Sequence, residues 1–182
     1  MKKILMMVAV IAMAATANAQ WYVGGTIGFG SVKLGDRSGE STYKIAPEVG
    51  YNLSSDWAIG LSMGYQKGAC EFGTIGDFTQ NVDTEIFSFN PYVRYTFLTF
   101  GMIDVFADAG FGIASVKDIG TEFQIGVRPG IALNASDKVS LVAGIGYCGF
   151  NTFSPKGDGD SSNAFGLNLD NAATTFGLYY HF

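Results

Sequence analysis

The stretch Phe176-Gly177-Leu178-Tyr179-Tyr180-His181-Phe182 decides the fold. Side chains alternate across a strand, so Phe176, Leu178, Tyr180 and Phe182 share one face, and Gly177, Tyr179 and His181 the other. The first face is wholly apolar or aromatic, and the sequence stops on it without a polar tail. An exposed strand of this kind in water would be an aggregation site. The expectation is that this strand closes a barrel by pairing with the first strand and lays its apolar face in lipid.

The beginning of the chain agrees. Lys2 and Lys3 precede an apolar run from Ile4 to Ala15, and Ala17-Asn18-Ala19 forms a small-x-small cleavage site before Gln20. This pattern predicts a secretory signal peptide over residues 1–19 and a single barrel domain over 20–182. The apolar run is too short for a mature membrane helix. No Cys follows the cleavage site, which argues against a lipoprotein. Beyond residue 19 there are 9 basic and 16 acidic side chains, a formal charge of −7 that disfavours nucleic acid as a partner. No later segment has the 18 consecutive apolar residues of a spanning helix. Yet 48% of the chain is hydrophobic, so the apolar side chains must be placed some other way.

Period-2 alternation supplies it. Trp21, Val23, Gly25, Ile27 and Phe29 oppose Tyr22, Gly24, Thr26 and Gly28. Further strands are read over about 42–53, 57–66, 84–97, 103–113, 123–133 and 139–148, and the closing stretch makes eight. The turns Ser54-Ser55-Asp56, Leu98 to Gly101 and Asn134 to Asp137 are short. They alternate with loops over 31–41, 67–83, 114–120 and 149–169, the last the longest. An even strand count with alternating long and short connections is the pattern of a transmembrane barrel with short periplasmic turns and longer extracellular loops. Strands two, four and six carry Pro47, Pro91 and Pro129 at matching places, where a bulge is expected.

Bulk decides which face is outside. One face carries about five large apolar side chains per strand, and the interior of an eight-stranded barrel is only just filled by side chains. The face of Gly, Ser, Ala and charged residues fits inside, and the apolar face points to lipid. The fold class is therefore all-β, an eight-stranded antiparallel transmembrane β-barrel.

With its signal sequence, its strand spacing, Pro47-Glu48-Val49-Gly50-Tyr51 before a turn and Trp57, and the terminal Tyr179-Tyr180-His181-Phe182, the chain resembles the small bacterial outer-membrane β-barrel proteins of the OmpX and OmpA membrane-domain type, often labelled porin-like. The resemblance covers the whole mature chain. It implies a location in the outer membrane of a Gram-negative cell envelope and no enzymatic activity. It also implies roles in envelope integrity, adhesion or slow solute passage. Phe182, with Phe176, Leu178 and Tyr180, would belong to the signal read by the barrel-assembly machinery. Outer-membrane lipid and lipopolysaccharide would be the surroundings of a monomeric barrel, with an unidentified extracellular ligand at its loops.

Strand parity turns Glu48, Arg94, Asp104, Asp108 and Arg128 inward, with Glu48, Arg94 and Arg128 at similar depth, Asp104 just below and Asp108 just above, so an interior ion-pair network is expected. Cys70 and Cys148 fall near the outer rim in an envelope that permits disulfides, and the sequence leaves bonded and free open. Gly25-Thr26-Ile27-Gly28-Phe29-Gly30 reverses the glycine order of the dinucleotide fingerprint and precedes no helix, so it reads as close-packed inward glycine. Asp158, Asp160 and Asp170 lack the spacing of a Ca²⁺ loop, since Leu169 stands where the bidentate Glu belongs. His181 is the only histidine, leaving no base for a serine in the outer loops. Asn52-Leu53-Ser54 and Asn134-Ala135-Ser136 match the glycosylation pattern at expected periplasmic turns of a bacterial-type protein and carry no weight. No cofactor or metal is expected. The sequence favours a filled barrel with a structural, adhesive or surface-interaction role through its loops. The alternative is a narrow porin-like channel for ions or small solutes.

Overall fold

The computed structural model describes residues 20–32, 40–67, 85–157, 160–168 and 175–182. Within them the chain forms ten strand segments: β1 (Trp21–Val32), β2 (Glu40–Asn52), β3 (Trp57–Lys67), β4 (Glu85–Phe100), β5 (Ile103–Val116), β6 (Gly120–Ser136), β7 (Val139–Gly144), β8 (Tyr147–Pro155), β9 (Ser162–Asn168) and β10 (Thr175–His181). Every pairing is antiparallel. The ring runs β1 to β6 in order, then β7 and β10, and returns to β1, which closes an eight-stranded barrel. β8 and β9 carry the wall onward above β7 and β10, with β8 paired to the upper part of β6. No helix occurs among the described residues.

The seam is made by residues 178–182 against β1. Tyr22 pairs with His181, Val23 with Tyr180, Gly24 with Tyr179 and Gly25 with Leu178. The Phe182 amide donates to the Trp21 carbonyl at 3.0 Å. Phe176 is 71% and Leu178 58% exposed, while Tyr179 is buried, as alternation requires. Exposed Ile, Leu, Phe and Val continue around the outside on every strand from β1 to β7. That is far more apolar surface than a water-soluble monomer presents, and lipid is the solvent it fits. Aromatic pairs cluster at the short-turn end of the outer face. Trp21 lies 5.2 Å from Tyr51, Trp57 4.6 Å from Tyr95, and Tyr180 5.2 Å from Phe182 between ring centres. Tyr43 with Tyr65 and Phe111 with Phe123 form pairs nearer the other end. Two such belts mark the levels at which a barrel wall meets the membrane interfaces.

The prolines have a physical account. Pro lacks an N–H and cannot donate to a ladder. The ladder from β2 to β3 lapses at Ala46 and Pro47, and that from β4 to β5 lapses at Asn90 and Pro91, in each case without loss of register. At Pro129 the partner of β6 changes from β8 to β7 with a one-residue step. So the expected bulge is a simple gap at the first two sites and a register step only at the third.

The longest loop is where the structure departs most from the sequence reading. Strand seven does not end at Cys148. It breaks at Ile145 and Gly146, where Gly146 takes the left-handed φ of 71°, and resumes as β8 to Pro155. The break reverses the inside–outside phase. Tyr147 becomes buried and Cys148 exposed, opposite to unbroken alternation. β9 then folds back onto β8, so much of 149–169 is a hairpin. The third loop also contracts, since β5 and β6 pair out to Val116 and Gly120, with Asp118 in the left-handed region at φ 62°.

Candidate functional site: a septum across the lumen

Inside the barrel the feature that dominates is Arg94. β4 turns it inward, and register sets it opposite Asp108 on β5. Its Nε donates to Asp108 Oδ1 at 2.7 Å and its second terminal nitrogen to Oδ2 at 2.9 Å, a two-bond fork. Glu48 on β2 lies 3.8 Å from the same guanidinium. The Tyr92 hydroxyl donates to Glu48. Having one proton, it must then accept from Tyr22, whose oxygen is 2.7 Å away. Tyr179 also reaches Glu48. Four rings surround the guanidinium carbon, with centres at 4.0 Å for Phe106, 5.3 Å for Tyr92, 5.7 Å for Tyr179 and 6.0 Å for Tyr22. The cation is therefore held by two carboxylates and a cage of π-faces. Phe106 and Tyr22 are each 2% exposed.

These rings fit because each faces a glycine. Tyr22 is the register partner of Gly50, Tyr92 of Gly60, Tyr179 of Gly24 and Phe106 of Gly130. A Cβ on any of the four glycines would stand 2.0–2.5 Å from its nearest neighbour, with ring atoms of the partner aromatic among the closest. Each ring lies flat on the neighbouring strand in the space a side chain would fill, and the four together cross the lumen.

Of the residues expected in one network, the structure brings together Glu48, Arg94 and Asp108. Asp104 sits nearer the short-turn end in a separate chain. It accepts from Thr99 Oγ1 at 2.7 Å and Asn134 Nδ2 at 2.6 Å. Ser140 donates to Asn134 Oδ1 at 2.7 Å, and His181 Nε2 is 2.9 Å from Ser140 Oγ. Asp104 accepts from the Asn134 amide nitrogen, so Asn134 presents its oxygen to Ser140 and takes the hydroxyl proton. His181 Nε2 must then carry a hydrogen and donate to Ser140. This is the wrong direction for an activated serine, whose histidine must accept. The chain ties β4, β5, β6, β7 and β10 around the rim. Arg128 also stands apart. Both oxygens of Asp108, its register partner, are engaged by Arg94.

The aromatic cage is what the sequence reading missed. Tyr22, Tyr92, Phe106 and Tyr179 fall on the inward parity, yet nothing local distinguishes them from other aromatics. The signal is the glycine opposite each, which needs the register. Phe176, Leu178 and Tyr180 are outward and exposed. Cys148 is exposed on the wall of β8, while Cys70 lies outside the described residues, as do residues 1–19, Asp158 and Asp170. No group of metal-ligating side chains occurs among the described residues. Gly25 to Gly30 lie within β1.

A closed all-strand barrel with a lipid-facing apolar wall and a polar lumen is an integral β-barrel of the outer-membrane class. The chain belongs to the family described as outer membrane protein beta-barrel domain, which matches residues 4–182. An uncharacterised protein of Haemophilus influenzae is 26% identical over 159 residues, covering 81% of this chain and 89% of its own. Among solved structures, the crystal structure of neisserial surface protein A superposes with a TM-score of 0.56 at 15% identity, covering 89% of this chain and 97% of that one. That likeness is one of fold.

Proposed function

We propose that this outer-membrane protein is a sealed barrel whose role is structural or surface-interacting, exerted through the connections at its long-loop end. The observation that carries the reading is the Arg94 septum, which occupies the cross-section with an ion-paired guanidinium and four rings. Solute passage through it would require breaking a fork of two charge-assisted hydrogen bonds. In this reading the long-loop end faces the outside of the cell, the short turns are periplasmic, residues 1–19 direct export, and the barrel acts as a non-enzymatic monomer in outer-membrane lipid and lipopolysaccharide. Phe182 and the apolar face of β10 are the part read by the assembly machinery. Osmotic swelling of proteoliposomes tests it: vesicles carrying the wild-type protein should swell no faster in small sugars than empty ones.

One observation favours the narrow-channel alternative. A chamber on the long-loop side and a vestibule on the short-turn side both reach Arg94, Phe106, Val142 and Tyr179. Only this layer separates them, so displacing it would connect the two. Rapid swelling with the wild-type protein would favour that reading.

A further inference from the structure

The septum leaves one charge unused. Arg128 projects into the long-loop chamber, a cavity of about 190 Å³. Its Nε is buried without a hydrogen-bond partner, and so is the hydroxyl of Tyr147, which lines the same cavity. Their backbones are neighbours, with the Arg128 stem leaning toward Gly144 and the Tyr147 ring toward Gly149. β6 and β8 pair at Val127 and Cys148, and the Ile145 amide donates to the Pro129 carbonyl at 2.8 Å, so Tyr147 stands beside Arg128 across the strand break. Tyr147 points inward only because the break at Gly146 reversed the phase, and its ring rests over Gly126 and Gly149. The Arg128 stem runs over Gly144, where Thr175 Oγ1 also approaches.

The carboxylates nearby do not answer this guanidinium. Among the described residues Asp108 and Glu48 form their ion pairs with Arg94, and no carboxylate lies within ion-pair distance of Arg128. Glu122 also lines the chamber, but six residues along β6 puts it roughly 20 Å away, and it accepts from Asn151 at 2.8 Å. A buried guanidinium nitrogen and a buried hydroxyl without partners are costly unless something in the chamber answers them. Both can donate, and a guanidinium fork matches two oxygens on one centre.

We infer that the floor of this chamber is a binding site for a small oxyanion, a carboxylate or a phosphate, held by Arg128 and Tyr147 above the closed septum. The site is independent of conduction, because the ligand binds on one side of the septum without passing it.

The test uses the full-length mature barrel in detergent, monitored by its heat-modifiable gel mobility, so that folding of every variant is checked first. Thermal unfolding is followed during titration with potassium acetate and, separately, potassium phosphate, each against potassium chloride at equal ionic strength. The wild type should show a saturable rise in midpoint with at least one of the two anions, and the stronger arm identifies the class. Arg128→Gln should weaken apparent affinity about ten-fold or more, as loss of a charge-assisted contact does. Tyr147→Phe, which keeps the ring on its glycines, should weaken it measurably, and Lys117→Gln at the outer turn should not. If neither anion does more than chloride, or if Arg128→Gln and Tyr147→Phe titrate like the wild type, the chamber holds only water and the inference is overturned. If Arg128→Gln does not fold, Tyr147→Phe alone decides.

Discussion

Arg94 and Asp108 face each other across β4 and β5 and are joined by two hydrogen bonds of 2.7 and 2.9 Å in the middle of the lumen. Their side chains are only 12% and 16% exposed. The pair is thus shielded, and removing one member strands the other. Arg94→Ala should lower barrel stability by about 3 kcal/mol, the usual consequence of leaving a buried charge unpaired. Adding Asp108→Asn should recover part of that loss. Urea midpoints in lipid vesicles measure both, and equal midpoints for wild type and Arg94→Ala would remove the septum's energetic role.

The glycines opposite the cage rings should be intolerant of a methyl group. In Gly60→Ala the new Cβ would stand 2.2 Å from the Tyr92 ring, which cannot retreat without leaving Tyr22 and Glu48. A loss of about 1–3 kcal/mol is expected, the scale of overpacking a filled core. Gly166→Ala, where nothing lies within 4 Å, should stay within about 0.5 kcal/mol of wild type. Equal unfolding midpoints for the two variants would contradict the packing account.

Phe182 completes the seam through its amide bond to the Trp21 carbonyl and its ring against Tyr180. Deleting it should slow insertion and leave chains in the periplasm, where unpaired strand edges aggregate. Pulse-chase fractionation reads this directly. Normal outer-membrane levels reached at the normal rate would mean that β10 assembles without its last residue.

Cys148 is exposed on the wall of β8, facing away from the lumen. Both thiols should label with an apolar maleimide without reductant. Labelling that appears only after reduction would show the bond.

Much of this architecture was legible in the sequence because a two-residue period with bulk on one face has few solutions. Forty-odd large apolar side chains cannot enter a small barrel, so the inside and outside of β1 to β6 follow from parity alone. Parity also turned Glu48, Arg94 and Arg128 inward at one level, with Asp108 just above it and Asp104 just below. It could not tell that Arg128 and Asp104 fall outside the network, because who meets whom depends on register and on the direction each side chain takes. The phase change at Gly146 was hidden for a different reason. A left-handed glycine leaves no trace in a strand already rich in glycine, so unbroken alternation over 139–148 puts Tyr147 outside and Cys148 inside, opposite to the structure. The pairing of each cage ring with a cross-strand glycine is likewise a property of two strands together, invisible in either one.

Single-channel recording in planar bilayers tests the central claim most directly. The wild-type barrel should give no steady conductance, because Arg94, Phe106, Tyr22 and Tyr179 close the lumen between chamber and vestibule. A folded Arg94→Ala/Phe106→Ala variant, shown to be inserted by its gel mobility, should give small discrete openings. Steady conductance by the wild type, unchanged in the double variant, would contradict the septum and leave the protein a narrow pore.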